Sequence, residues 1–197
     1  MKKLLLALFW VFSPVVTFAF SSQELVAVLQ QPQNIQGDFT QQRFLKALPK
    51  PITTSGQFTL LKNKGLLWQM QKPFASDVRV TAKGIMQWNG QQWVENHKVG
   101  QSQQIQLFLG LLSGNIDGLS AQFSPELKGT AEHWQLTLTP NSLLMKQIFS
   151  HIQLQGDKLV KRIELHETQG DRTVIELQNN QVNQPLPAFV QSALQAN

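Results

Sequence analysis

Period-two alternation governs this chain from Ser55 onward. Ser55-Gly56-Gln57-Phe58-Thr59-Leu60 sets small or polar residues against apolar ones, and Leu66, Leu67, Trp68, Gln69 and Met70 follow a polar break at Lys62-Asn63-Lys64-Gly65. Successive side chains of a strand point to opposite faces, so Phe58 and Leu60, then Leu66, Trp68 and Met70, fall on one face of a sheet. Pro73 stops the second strand because it brings no N–H to a ladder. The rhythm returns in Val78, Val80 and Ala82, and in Trp134, Leu136 and Leu138 as far as Pro140. Ile152 and Leu154, Ile163 and Leu165, and Thr173, Ile175 and Leu177 continue it, with turns at Gly156-Asp157 and Gly170-Asp171. Ile85 to Trp88 and Gln91 to Val94 flank Asn89-Gly90, a strong hairpin signal. Each strand has one apolar face, the pattern of an antiparallel sheet solvated on one side.

Helical signals are few. Ser21-Ser22-Gln23-Glu24 has capping-box spacing, with Leu25, Val28 and Leu29 at helical intervals up to Gln31-Pro32. Asn34 to Leu45, holding Phe39-Thr40-Gln41, reads as the first strand, and Lys46 to Pro51 as an irregular connection. Ile105, Phe108, Leu109 and Leu112 sit at i, i+3, i+4 and i+7 before Gly114, a C-terminal stop. Leu107 and Leu111 make that helix apolar almost all round, so burial on more than one side is expected. A final helix is expected over Ala188 to Gln195, after Pro185-Leu186-Pro187.

Trp68, Trp88, Trp93 and Trp134 strengthen the apolar face, three of them on strands whose same-face neighbours are read as Leu, Met and Ile. A half-open sheet of this extent has more apolar face than two or three short helices cover permanently. Its concave side is expected to be filled by helices in one state and by a ligand in another.

The N-terminus reads as an export signal: Lys2-Lys3, an apolar run from Leu4 to Phe12, and a small-x-small site at Thr17-Phe18-Ala19. Residues 1–19 are expected to leave as the signal, with 20–197, about 178 residues, forming one domain. The apolar run is shorter than the roughly 20 residues a spanning helix needs. The chain has no cysteine, which excludes a lipid-modified N-terminal cysteine, disulfides, thiolate metal sites and a Cys nucleophile. The formal charge of +5 includes Lys2 and Lys3, so +3 remains after cleavage. Scattered basic residues of that number fall short of a nucleic-acid-binding stripe.

Enzyme signatures fail in turn. There is no phosphate-cradling glycine loop and no Gly-x-Ser-x-Gly elbow. His97, His133, His151 and His166 lie far apart in the chain, and no His-x-x-x-His pair occurs. Glu164, Glu167, Asp171 and Glu176 alternate with Lys161, Arg162 and Arg172, the composition of a solvated sheet face. No catalytic residue, metal site or cofactor is expected.

In order along the chain, these pieces resemble the LolA family of periplasmic carriers that move lipoproteins to the outer membrane. Phe39-Thr40-Gln41 after the opening helix is the first mark, and Gly56 to Trp68 followed by Pro73 the second. Gly84 and Trp88 are similar to the family's turn glycine and strand aromatic, and Leu111-Leu112-Ser113-Gly114-Asn115 to its helix ending. Gly170-Asp171-Arg172-Thr173 to Leu177, with Asn179 and Asn180, resembles its late strand and turn. The resemblance implies an α+β, mainly β fold: a curved antiparallel sheet forming an unclosed barrel, with helices covering its concave hydrophobic side. It implies a lipid-binding cavity of Phe58, Leu60, Leu66, Trp68, Met70, Ile85, Trp88, Trp134, Leu136 and Leu138. Ile105, Phe108, Leu109 and Leu112 would form a lid packed on Trp68, Met70 and Trp134 when the protein is empty. It further implies a monomer in the periplasm, with lipoprotein or lipid cargo, an inner-membrane donor and an outer-membrane acceptor.

Two departures stand out. Lys62-Asn63 occupies the family's basic-Pro step, and Leu66 stands where an aromatic is common. The family's arginine at the Lys62 position bonds the lid backbone and holds the empty state closed; a lysine there offers a point charge without a planar fork. Divergence of this kind extends the implied cargo to other lipid-like amphiphiles. A second class with the same sheet is a lipid- or peptide-sensing module that regulates a membrane partner.

Overall fold

The computed structural model describes residues 20–81, 84–95, 107, 110–112 and 117–195. Its strands are β1 (Asn34–Phe44), β2 (Ile52–Leu61), β3 (Gly65–Lys72), β4 (Ser76–Thr81), β5 (Gly84–Trp88) and β6 (Trp93–Glu95). After them come β7 (Phe123–Thr130), β8 (His133–Pro140), β9 (Phe149–Gly156), β10 (Val160–Glu167) and β11 (Arg172–Val182). The helices are α1 (Ser22–Leu29), α2 (Asp117–Ser120), α3 (Leu143–Ile148) and α4 (Ala188–Gln195). Leu107 and residues 110–112 are helical as well.

All the strands join one antiparallel sheet in the order β6-β5-β4-β3-β2-β1-β11-β10-β9-β8-β7. Hairpin connections build each half, and β1 pairs with β11 to join the halves at the middle, with Phe39 opposite Leu177. The edges β6 and β7 do not pair, so the curved sheet remains an unclosed barrel. The fold is α+β and mainly β.

Parity then sorts the side chains. Ile35 and Phe39, Phe58 and Leu60, Leu66, Val80, Ile85, Trp134, Leu136 and Leu138 are buried in one apolar cluster on the inner face. Ile152, Leu154, Ile163, Ile175 and Leu177 extend it through the other half. α1 enters through its capping box: the Ser21 hydroxyl accepts the Glu24 N–H at 3.2 Å, and the Glu24 carboxylate accepts the Ser21 N–H at 2.8 Å. That start sets Leu25 and Leu29 into the cluster.

Some features differ from the sequence reading. α4 lies on the opposite face from α1, where Val190, Ala193 and Leu194 pack with Leu67. Leu67 stands between Leu66 and Trp68 and therefore points the other way, giving β3 apolar side chains on both faces. The Asn89-Gly90 hairpin closes through four residues rather than two. Trp88 faces Trp93, and the Asn89 carboxamide oxygen accepts the N–H groups of Gln91 and Gln92 at 2.9 and 2.8 Å. Finally, β7 carries Pro125 yet pairs along its whole length with β8, which an edge strand permits.

Candidate functional site

Nine of the ten expected cavity residues share the inner face. Phe58 and Leu60 of β2, Leu66 of β3, Ile85 of β5, and Trp134, Leu136 and Leu138 of β8 are buried there; Trp68 and Met70 are half-buried against the same cluster. Phe39 stacks on Trp68 with ring centroids 3.7 Å apart, and Phe58 leans on the same indole at 6.1 Å. Trp88 is the correction. Three residues beyond Ile85, it takes the other parity and faces outward, where its ring meets Trp93 at 5.3 Å and Phe189 of α4 at 5.8 Å. Arg79 closes this outer aromatic group, its guanidinium 4.8 Å over Trp93 and donating to the Ala193 carbonyl at 3.0 Å. Partial burial draws the Arg79 pKa below its ordinary value.

The roof of the inner face is helical. Leu25 and Leu29 of α1 and the helical residues Leu107, Leu111 and Leu112 are buried in the cluster that holds the sheet's apolar face. Leu112 thus lies where the lid was expected; Ile105, Phe108 and Leu109 lie outside the described residues.

Lys62, in the turn after β2, reaches the roof. Its ammonium donates to the Gln30 carbonyl at 2.8 Å, and Gln30 is the C-cap of α1. A cation at a helix C-terminus meets unsatisfied carbonyls and the negative end of the helix dipole, worth about 0.3–1 kcal/mol. The contact that this point charge makes is with α1, whereas the expected lid was the segment of Ile105, Phe108, Leu109 and Leu112. In Lys62→Ala, α1 amides should exchange hydrogen about two- to fivefold faster while β1 amides keep their rates. Unchanged α1 exchange would show that Lys62 does not restrain the helix.

The outer face of β9, β10 and β11 is polar. The Glu164 carboxylate meets Arg162 at 2.8 Å, His166 at 3.3 Å and Arg172 at 3.6 Å, while Arg162 also bridges to Glu176. Partial burial pushes the Glu164 carboxyl up, but the Arg162 hydrogen bond and charge, the Arg172 charge and the His166 hydrogen bond outweigh it. The group is held below its ordinary 4.5. Stability from such a depressed carboxyl is present above the unfolded value and is lost as pH falls through the folded one. Glu164→Gln should cost about 1 kcal/mol at neutral pH, a difference that shrinks as unfolding is measured below pH 4.5. A pH-independent difference would assign the loss to packing instead.

His151 and His166, distant in sequence, stack across β9 and β10 with centroids 4.0 Å apart. Burial, and then the His166 charge, lower the His151 pKa, against the opposing pull of Glu164. The signal for this pair lay in strand register, which only the β9–β10 turn fixes. No group of three or more His, Asp or Glu that could hold a metal ion occurs among the described residues. A cleft of about 520 Å³ lies at the far end of β8 and β9, lined by Lys128, His133, Trp134, Asp157 and Lys161. There the Trp134 indole N–H donates to the Asp157 carbonyl.

Known proteins place this arrangement. The sequence matches the family described as outer membrane lipoprotein carrier protein LolA over residues 30–190. No curated protein matches it significantly. Among solved structures, MucB is similar with a TM-score of 0.53 and 12% identity, over 89% of this chain and 62% of MucB. The Pseudomonas aeruginosa MucA/MucB complex gives 0.52 and 13%, over 88% and 58%. A LolA superfamily protein from Nitrosomonas europaea gives 0.48 and 10%, over 87% and 97%. The chain thus spans about three fifths of the MucB chains, and at these identities structural likeness speaks for fold alone. The family match itself runs from the C-cap of α1 into α4 and takes in every strand, inner face and turn described above. The chain belongs to the outer membrane lipoprotein carrier protein LolA family.

Proposed function

We propose that this protein is an exported periplasmic carrier that shelters acyl chains of a lipoprotein, or of another lipid-like amphiphile, on its inner face. It takes cargo from an inner-membrane donor, passes it to an outer-membrane acceptor, and works as a monomer. One observation carries the reading: apolar side chains from both halves of an unclosed sheet join one cluster roofed by short helical segments. Neither half of that roof is tied to the sheet by a covalent link, and Trp68 and Met70 remain half-buried at its margin. No helix among the described residues is long and apolar enough to cross a membrane.

Energetics favour a displaceable roof over an open dry pocket. Covering one 16-carbon chain is worth roughly 13 kcal/mol gross, at about 0.8 kcal/mol per methylene. Three such chains would total about 38 kcal/mol, past the practical ceiling of about 18–21 for non-covalent binding. A carrier must also release what it holds. When Leu107, Leu111 and Leu112 already cover the sheet, their lost contacts subtract from the gain, and net affinity falls into a reversible range.

The test is the occupant. Gentle extraction of the protein from its native envelope, followed by mass spectrometry, should find acyl-bearing lipid or lipopeptide in stoichiometric amount. The emission of Trp68 and Trp134 should shift when a fatty acid is added to stripped protein. An empty protein that instead captures one membrane protein would favour the sensing reading, and turnover of lipid esters would favour catalysis.

A further inference from the structure

We propose that one rim of the unclosed barrel is a docking surface for an anionic lipid bilayer. Strand register defines the rim: Arg43 faces Ile52, Met70 faces Ser76, His166 faces Arg172, and Glu167 faces Phe149. The β1–β2 loop, the β3–β4 turn, the β10–β11 turn and α3 therefore emerge at the same end of the sheet. Large apolar side chains left exposed among the described residues are Leu48, Ile52, Phe74, Leu143, Leu144 and Val182. All but Val182 belong to this rim. Phe74 and Leu143 protrude furthest, 78% and 82% exposed.

The rim is physically continuous. The Lys46 N–H donates to Asp171 at 3.0 Å, joining the β1–β2 loop to the β10–β11 turn. The Thr168 N–H donates to the Ile148 carbonyl at 3.0 Å, and its hydroxyl to the Lys146 carbonyl at 3.0 Å, joining that turn to α3. α3 buries Met145 in the inner cluster and turns Leu143 and Leu144 outward, so the exposed pair is held on a seated element.

Charge selects the occupant. Lys46, Lys50, Lys72 and Lys146 stand exposed around these apolar tips. Of the rim's carboxylates, Glu167 pairs with Arg43 at 3.5 Å and Asp171 accepts the Lys46 N–H, leaving Asp77 on β4 as the third. Cations therefore exceed acids at this end. The apolar groups are spread over three parts of the rim, the β1–β2 loop into the start of β2, the β3–β4 turn and α3. Exposed apolar side chains among lysines suit the headgroup boundary, where they enter the acyl edge and the ammoniums meet lipid phosphates. The proposal goes beyond carriage and does not depend on what fills the inner face.

Flotation with vesicles tests it, comparing phosphatidylethanolamine–phosphatidylglycerol with phosphatidylcholine alone. Wild-type protein should float with the anionic vesicles at low salt and detach as salt rises. Phe74→Ser and Leu143→Ser should each weaken partitioning about tenfold, and Lys50→Gln and Lys72→Gln about fivefold each. All four change exposed side chains, so thermal unfolding should stay near wild type, and fatty-acid binding in vesicle-free solution should not move. Wild-type protein that stays down with anionic vesicles, or variants that float equally well, would overturn the proposal. So would a rim that binds only a protein extracted from the membrane.

Discussion

Gly56→Ala should lower the free energy of unfolding by about 3 kcal/mol or more, read as a falling urea midpoint at an unchanged slope. A Cβ built on Gly56 would lie 2.0 Å from the Gln69 carbonyl oxygen and 2.9 Å from the Met70 Cα, both fixed backbone of β3. No flexible side chain can yield there, so β2 and β3 must separate at the point where their register shifts between Ser55 and Gly56. The pair opposed through this point is central to the site: Gly56 faces Phe39 on one side and Met70 on the other, and Phe39 stacks on Trp68. Loss of stability should therefore come with loss of the indole's protected fluorescence. Ser55→Ala, at a half-buried neighbouring position, serves as control and should stay within about 1 kcal/mol. A Gly56→Ala protein as stable as wild type would mean the two strands can part without harm.

Truncating Leu112 should have the second large effect, in the opposite direction for ligand. Leu112 is buried in the inner cluster, so Leu112→Ala removes contacts that an acyl chain has to displace. Leucine truncations in cores cost about 2–5 kcal/mol, and if half of the smaller figure is returned on displacement, affinity rises about fivefold. A fluorescent fatty acid should bind the variant at least that much tighter, with a faster on-rate. The free protein should unfold at lower denaturant concentration. Leu48→Ala, on the outer rim, should leave fatty-acid affinity unaltered. Equal or weaker binding by Leu112→Ala would show that roof and ligand do not compete for the same face.

Strands announced themselves in the sequence where one face is buried and the other wet. β8 and β9 follow this rule, and their inner residues were legible from parity; β2, β3 and β11 show the same inner alternation but also bury Thr59, Leu67 and Val174 on the other face. β7 was not, because only Phe123 and Leu127 are drawn inward while Pro125 and the remaining positions are exposed at the sheet's edge. α3 was illegible for a related reason: Leu143-Leu144-Met145-Lys146-Gln147-Ile148 is too short for a helical period, and its leucines face solvent. Trp88 was misplaced by its chemistry, since a large aromatic suggests the core even where its parity with Gly84 and Met86 sends it outward. α4 was legible as a helix over Ala188 to Gln195, but its side of the sheet was not, because its partner, Leu67, hides inside an apolar run that serves both faces.

The seam between β1 and β11 has a consequence for the order of events in the cell. Phe39 and Leu177 meet across it although they stand about 140 residues apart in the chain. Neither half-sheet can complete its interior until the last strand has been delivered. Until then the polypeptide stays open, and the shape that could trap greasy material arises only once the final strand has arrived.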